Sequence, residues 1–89
     1  MADLKVSIVS ADQEVWSGLA RQIVARTTEG EIGILSGHEP ILAILAEGEV
    51  RVTAADGSVV TAKASDGFLS VEHDIVTVVA RNAELVVTG

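Results

Sequence analysis

The segment that contains Ser36 and His38 has the residue types of a hydrolytic site. The two side chains stand two positions apart, so in an extended segment they would point to the same side. A serine nucleophile with a histidine base also needs an acid to orient the base, and three acids are near in sequence: Glu29, Glu31 and Glu39. The surrounding glycines do not form the Gly-x-Ser-x-Gly turn of a nucleophile elbow. We therefore interpret these residues as a turn with a surface histidine and predict neither a catalytic residue nor an enzyme.

Even fewer residues of this chain are suited to a metal or cofactor site. A metal ion would have to use His38 and His73 with acids such as Glu39 and Asp74, since the chain has no cysteine. The two histidines lack the ligand spacing of zinc sites, and His73-Asp74 is better explained as a polar turn between two strands. No glycine is followed by Lys-Ser or Lys-Thr, so there is no phosphate loop. The prediction is no metal site and no cofactor.

The length and composition indicate one small domain, residues 1–89. Hydrophobic residues make up 48% of the chain but aromatic residues only 2%, so we expect a core of Val, Ile, Leu and Ala with Trp16 and Phe68 as its two large side chains. A domain of this size buries only roughly 60% of its unfolded surface. Because the chain has no cysteine to form a disulfide, we expect a partner surface to add stability.

The charge balance excludes one class of partner. Six basic residues against thirteen acidic ones give a net charge of -7, which repels a phosphate backbone, so nucleic acid is excluded. The N-terminus lacks the basic flank and apolar run of a signal sequence, and no apolar stretch approaches the roughly 18 residues of a membrane span. We expect a soluble intracellular protein that can dock on a membrane complex without inserting into the bilayer.

The apolar residues recur with a period of two, which predicts strands rather than helices. The first two strands, Leu4–Val9 and Val15–Gly18, should form a hairpin through the polar turn Asp12-Gln13-Glu14. The next two, Ala20–Arg26 and Glu31–Leu35, should bracket a tight turn. All of these segments favour an all-β fold.

The second half of the chain continues this pattern. Ile41–Ala46 is apolar enough for a short helix or a buried strand, and we favour the strand because the segment is short and follows a proline. Asp56-Gly57 between Val50–Thr53 and Val59–Ala62 predicts a hairpin with a two-residue turn. Further strands are expected at Phe68–Val71, Ile75–Val79 and Leu85–Val87. About nine or ten short strands at this spacing are typical of a sandwich or barrel.

Two acids in one of these turns raise the question of a binding role. Glu29 and Glu31 flank Gly30 and would together present a concentrated negative charge to a basic or polar partner. An acidic domain also exposes carboxylates in its turns without any such role, so both readings stay open. The residues alone describe an acidic all-β interaction domain.

A longer sequence motif gives a more specific indication of function than these two acids. Residues Thr28–Leu42 are similar to the signature Glu-Gly-Glu-x-Gly-Ile-x-Pro-Gly-His-x-Pro-Leu-Leu of the N-terminal domain of the epsilon subunit of bacterial F-type ATP synthases. Val9–Gly18 resembles the opening segment of that family, with its aromatic-Ser-Gly unit, and Gly48–Val52 resembles its Gly-x-hydrophobic-Arg strand. Ser65–Val71 and Val76–Ala80 look like its last strands, so the resemblance covers essentially the whole chain.

The resemblance implies a fold and a function. The fold would be a flattened antiparallel β-sandwich of about ten short strands. The chain would be a non-catalytic central-stalk subunit of a proton-translocating ATP synthase, peripheral on the cytoplasmic face of the membrane. It would couple rotation of the c-ring and the gamma subunit to ATP synthesis. The positions that match the family's contact residues are, toward the c-ring, Glu29, Gly30 and Glu31, and, toward gamma, Ser10, His38 and Ala43.

Two departures from the family pattern limit what is carried over. Ser36 stands where the family usually has proline, which removes a fixed backbone angle, so we expect a looser turn that the fold tolerates. The family's C-terminal helical hairpin is also absent from this sequence, so inhibition of ATP hydrolysis and ATP sensing are not expected. Two other hypotheses stay open: a free-standing β-sandwich module that binds a ligand or protein through its loops, and a small hydrolase that uses Ser36 and His38.

Overall fold

The computed structural model describes residues 3–11 and 13–86 and consists of six β-strands. The strands are β1 (Leu4–Val9), β2 (Glu14–Thr27), β3 (Gly30–Leu35), β4 (Ile41–Ala54), β5 (Val59–Glu72) and β6 (Ile75–Leu85). Among the described residues there is no helix of the length and apolarity needed to cross a membrane. The predicted all-β class is confirmed, and Ile41–Ala46 is a strand.

The strands form one hydrogen-bonded sheet that closes on itself. Its order is β1, β6, β5, β4, β2, β3, and β1 also pairs with β2. The five strands β1, β6, β5, β4 and β2 therefore form a closed circuit, with β3 at an edge. The predicted hairpin of β1 and β2 is present, although Asp12 of its turn lies outside the described residues. All neighbours are antiparallel except β1 and β6. These two run parallel because the four antiparallel pairings from β1 through β2, β4 and β5 to β6 return the chain to the direction of β1.

Four of the strands bend and thereby divide the sheet into two layers. The regular pairing is interrupted in β2 between Ala20 and Gln22, in β4 between Ile44 and Gly48, in β5 at Asp66, and in β6 at Arg81. The first layer contains β1 and the segments 14–20, 41–44, 67–72 and 75–80. The second layer contains β3 and the segments 22–27, 48–53, 59–65 and 82–85.

This division explains the predicted number of strands. Five segments in each layer make ten, which is the predicted count, but eight of them are halves of four continuous strands. The sequence pattern changes at each bend while the backbone pairing resumes on the other side, so ten segments belong to six strands. The domain measures 32 × 31 × 23 Å, in agreement with a flattened sandwich.

The core between the layers is aliphatic, as expected. Its largest fully buried side chains are Leu4, Ile8, Ile23, Ile34 and Leu69, with valines around them. Trp16 is half-buried and packs against this core, with its indole ring over Gly18, where a Cβ would lie 3.1 Å from the ring carbons. This contact gives the aromatic-Ser-Gly unit a packing role, because a Cβ at position 18 would require the ring to shift by a few tenths of an ångström.

Phe68 contradicts the expectation that it is a core residue, because it lies on the outer surface with 39% of its area exposed. The cause is the bend in β5. Asp66 has a left-handed φ of 59°, and Gly67 lies so close to β6 that a Cβ would come within 1.8 Å of the Val79 carbonyl oxygen. The extra residue at this bend shifts the inside-outside alternation, so Leu69 faces the core and Phe68 faces out.

The turn at Asp56-Gly57 joins β4 and β5 as predicted but has a different form. The connection runs over four residues, 55–58, and among them only Gly57 has a positive φ, at 93°. The prediction of a two-residue turn was wrong because Asp56 bonds forward to Ser58: its carboxylate accepts hydrogen bonds from the Ser58 hydroxyl at 2.6 Å and the Ser58 N–H at 2.9 Å. These bonds stabilise the longer loop.

Candidate interaction surface

The outer side of the first layer is an exposed apolar surface. Along the pairing register Ile44 lies beside Phe68, Phe68 beside Val79, and Val79 beside Val9, which makes one apolar row across four strands. Leu42 extends this row along β4. Leu19 and Ile75 lie on the same side of the layer, on either side of Lys5, and a row of polar residues separates them from the first row: Ser7, Ser17, Ser70 and Thr77. We call the whole surface the apolar face, which consists of Val9, Leu19, Leu42, Ile44, Phe68, Ile75 and Val79.

The outer side of the second layer is charged instead. The register places Lys63 between Glu49 and Glu84, and Arg26 beside Glu31. We call this side the charged face; its charged members are Arg26, Glu31, Glu49, Arg51, Lys63 and Glu84, all exposed. A row of exposed apolar side chains across four strands is a candidate contact with another molecule, whereas mixed surface charge is ordinary. The contrast identifies the apolar face as the candidate docking surface.

His38 lies at one end of the apolar face, in the loop between β3 and β4. Its backbone N–H donates to the Leu35 carbonyl at 3.1 Å, and its ring Nδ1 lies 2.7 Å from the Glu39 carbonyl oxygen. The loop is next to the turn between β5 and β6, because the Gly37 N–H and the Ser36 hydroxyl both donate to the Asp74 carboxylate, at 2.7 and 3.2 Å. His38 is half-buried in this arrangement.

Ser36 and His38 do not have the arrangement of a catalytic pair. Gly37 has a positive φ of 87°, so the segment turns and is not extended as the hydrolase hypothesis requires. The Ser36 hydroxyl bonds to Asp74, and the His38 ring bonds to Glu39. Each side chain therefore has a different partner from the one that nucleophilic catalysis needs.

Ser10 lies at the other end of the apolar face, directly after Val9 of β1. Its N–H and its hydroxyl both donate to the Gln13 carbonyl, at 2.8 and 3.2 Å, and only 8% of the residue is exposed. Ser10 therefore closes a turn, and a partner at this position would meet the turn more than the hydroxyl.

Ala43 lies in β4 between two members of the apolar face, Leu42 and Ile44. It pairs with Leu69, on the side of the strand that faces the core, and is half-buried. Of the three positions that match gamma contacts of the family, Ser10 and His38 thus lie at the two ends of the apolar face, and Ala43 lies beneath it. The side chains that project from the apolar face belong to other residues.

Glu29 lies in the turn between β2 and β3, Gly30 and Glu31 are the first two residues of β3 directly after it, and all three are exposed. The Thr27 hydroxyl donates to the Gly30 carbonyl at 2.7 Å and accepts from the Glu29 N–H at 3.2 Å. Gly30 has a positive φ of 116°, a conformation that favours glycine. This turn is separated from the loop of His38 by the length of β3, about 17 Å for a strand of this size.

Two depressions mark the surface. One of about 360 Å³ lies on the apolar face near its His38 end and includes Ser70, Glu72, Ile75 and Thr77. A larger one of about 740 Å³ lies at the bends of β4, β5 and β6 and has mixed charge, with Lys63 and Arg81 among acids and amides. Among the described residues no group of acids and histidines has the arrangement of a metal site.

Sequence reasoning missed the members of the apolar face as site residues. A usable signal was present in Ile41–Ala46, which is apolar at both odd and even positions. A strand of that kind has two apolar sides, so one side must face the core and the other must meet something else. The structure shows that Leu42 and Ile44 are on the second side.

One acid has a shifted pKa. The hydrogen bonds that Asp56 accepts from the side chain and backbone of Ser58 lower its pKa below the ordinary value, because they stabilise the charged carboxylate. The group is fully exposed and belongs to the turn between β4 and β5. The hydrogen bonds that lower this pKa stabilise a local turn, and the shift does not indicate a functional site.

Comparisons with known proteins agree on one family. Residues 3–86 match the family described as ATP synthase, Delta/Epsilon chain, beta-sandwich domain. The ATP synthase epsilon chain of Micrococcus luteus is 54% identical over 85 residues, which cover 96% of this chain and 93% of that relative. The epsilon chain of Streptomyces coelicolor is 45% identical over 84 residues, which cover 94% of this chain and 68% of that relative.

Solved structures give the same result at lower identity. A chain in a cryo-EM structure of the Euglena gracilis mitochondrial ATP synthase, comprising OSCP, F1 and c-ring, superimposes with a TM-score of 0.89 at 28% identity. The match covers 96% of this chain and 54% of the Euglena chain. A chain from the central stalk and c-ring of the Tetrahymena thermophila mitochondrial ATP synthase has a TM-score of 0.73 at 15% identity, which shows the shared fold.

Proposed function

Because this chain belongs to the β-sandwich domain family of the ATP synthase delta and epsilon chains, we propose that it is a non-catalytic central-stalk subunit of a proton-translocating F-type ATP synthase. It binds the gamma subunit and the c-ring and couples their rotation to ATP synthesis. The family match over residues 3–86 supports this role most strongly, together with a structural neighbour that comes from an assembly of F1 with its c-ring.

The apolar face is the surface that docks on gamma in this proposal. It is bordered by His38 at one end and Ser10 at the other, two of the positions that resemble gamma contacts. Burial of exposed apolar side chains provides a driving force of about 25 cal/mol per Å², and a bound partner stabilises a domain with a thin core. Gamma would cover Leu42, Ile44 and Phe68.

The turn of Glu29, Gly30 and Glu31 contacts the c-ring in this proposal. Its two carboxylates are exposed, and it lies a strand length away from His38, so one partner can hold the apolar face while another meets the turn. Carboxylates in a partly desolvated contact with basic or polar groups contribute more than isolated surface charges.

The epsilon chain is a component of a membrane-associated complex, and we place this domain at the cytoplasmic face of the cell membrane. The net charge of -7 suits contacts with basic protein loops and disfavours contact with anionic lipid. The domain would therefore be held at the membrane through its protein partners.

Titration with purified gamma subunit, followed by calorimetry, tests the proposal. The wild-type chain should bind one gamma subunit with a saturable isotherm. The variant His38→Ala removes a half-buried ring at the end of the apolar face and should weaken binding about three- to tenfold, the effect of one moderate interface residue. Absence of binding by the wild-type chain at micromolar concentrations would remove the functional proposal and leave the fold.

The ring contact needs its own pair of variants. Glu31→Lys should leave gamma binding unchanged and reduce retention of the gamma-bound chain on detergent-solubilised c-ring. Glu84→Lys makes the same charge change on the charged face, at the opposite edge of the second layer, and serves as the matched control. Equal loss of retention in both variants would indicate a general charge effect and contradict a specific contact at the turn.

A further inference from the structure

Asp74 connects three separate parts of the fold. Its carboxylate accepts hydrogen bonds from the Gly37 N–H at 2.7 Å and from the Ser36 hydroxyl at 3.2 Å, one on each oxygen. Its backbone carbonyl accepts from the Lys5 N–H at 2.8 Å, at the start of β1. Asp74 itself belongs to the turn between β5 and β6. One residue thus ties the loop of His38 to both a strand start and a hairpin turn.

The backbone of this turn is unusual for its sequence. The two turn residues, His73 and Asp74, have left-handed φ angles of 50° and 61°, and neither is glycine. A two-residue turn of this kind prefers Asn-Gly or Gly-Gly, and a non-glycine residue in this region costs free energy. Aspartate is among the non-glycine residues that tolerate this region best, and in this turn its carboxylate is in reach of the loop of Ser36 and Gly37.

The neighbouring loop needs a restraint that its own sequence does not supply. Ser36 has no ring to fix its backbone angle, and Gly37 adds the most flexible residue type. The two hydrogen bonds from Ser36 and Gly37 to Asp74 restrict these residues directly before His38. The looser turn expected from the sequence is therefore held by a residue 37 positions away from Gly37.

We propose that Asp74 is a positioning residue, which fixes the turn of Ser36 and Gly37 and thereby holds His38 at the end of the apolar face in the position that meets gamma. This inference rests on the function proposed above. A loop that is ordered before binding avoids the entropy cost of ordering it in the complex, so loss of the restraint lowers affinity without removal of any contact to the partner.

The two left-handed residues provide a clean pair of variants. Asp74→Gly removes the carboxylate and accepts the φ of 61° without strain, whereas His73→Gly makes the same backbone change at φ 50° and keeps the carboxylate. Asp74→Asn tests rescue, because the amide oxygen can accept from the Gly37 N–H and the amide nitrogen can donate to the Ser36 hydroxyl. Two readouts apply: affinity for gamma, and hydrogen exchange of the Gly37 amide in the free chain.

Asp74→Gly should weaken gamma binding about three- to tenfold and speed Gly37 amide exchange about tenfold, as expected for loss of one or two hydrogen bonds. His73→Gly and Asp74→Asn should stay within about twofold of wild type in both readouts. Unchanged binding by Asp74→Gly, or an equal loss in His73→Gly, would overturn the positioning role while the wild-type chain still binds gamma. A wild-type chain that does not bind gamma would overturn the proposed function and this role with it.

Discussion

Replacement of Leu42 by serine tests whether the apolar face is the docking surface for gamma. Leu42 projects from β4 with 69% of its area exposed, so the free domain gains little from its hydrophobicity. Full burial of a leucine side chain is worth about 1.5–3 kcal/mol. Covering the exposed two-thirds on docking is therefore worth about 1–2 kcal/mol, which corresponds to a dissociation constant about 5- to 30-fold higher in Leu42→Ser.

Calorimetric titration of gamma measures this change directly, and urea unfolding of each variant shows whether the fold is intact. The unfolding free energy of Leu42→Ser should stay within about 1 kcal/mol of wild type, because only about a third of the side chain is buried in the free domain. Val59→Ser is the matched control, since Val59 is 61% exposed on the outer side of the second layer. It should bind gamma as wild type does.

The opposite pattern would refute the reasoning. If Leu42→Ser bound as tightly as wild type while Val59→Ser bound weakly, gamma would dock on the second layer, and the apolar face would need another explanation. A loss of affinity in both variants with unchanged stability would mean that the partner surrounds the domain, which contradicts a single docking face.

Further predictions concern the turns and bends. Gly67→Ala should destabilise the domain by about 3 kcal/mol or more in urea unfolding, because the new Cβ has no room against the backbone of Val79. Gly33→Ala has open space around it and should change stability by less than about 1 kcal/mol; a similar loss in both would contradict the close-approach argument. Asp56 should titrate below its ordinary pKa by NMR, and Ser58→Ala should raise that pKa. Since a lowered folded-state pKa stabilises only the charged form, the stability difference between wild type and Ser58→Ala should close as the pH falls from about 4 through the folded-state pKa. A stability difference that stays constant with pH would contradict the conclusion that the Ser58 hydrogen bonds lower the Asp56 pKa.

Much of the fold could be predicted from the sequence because the alternation of apolar and polar residues reports strands locally. That alternation located segments of all six strands, and the short length of Ile41–Ala46 after Pro40 favoured a strand there. It could not show that the strands continue through their bends, because a bend interrupts the pattern without ending the hydrogen-bonded ladder. The extra residue at Asp66 also reverses which side of β5 faces the core, and this reversal made the core prediction for Phe68 wrong.

The candidate site was predictable only in part. The motif that contains Glu31 and His38 indicated the loops at the two ends of β3, because its glycines and its proline are typical of turns. The apolar face was not, because its members come from β1, β2, β4, β5 and β6 and meet only through the register of the sheet. The contact of Asp74 with Ser36 joins residues 38 positions apart, and a turn predicted at His73-Asp74 does not show which distant loop it will meet.

The bent strands have a mechanical consequence for a subunit that rotates together with gamma and the c-ring, as proposed above. In a sandwich of two separate sheets, a sideways force is resisted by side-chain packing alone, so the layers can slide past each other. Here β2, β4, β5 and β6 each run through both layers, so sliding would have to distort the covalent backbone at four places. Torque applied at the apolar face would therefore reach the acidic turn of β2 and β3 with little elastic loss.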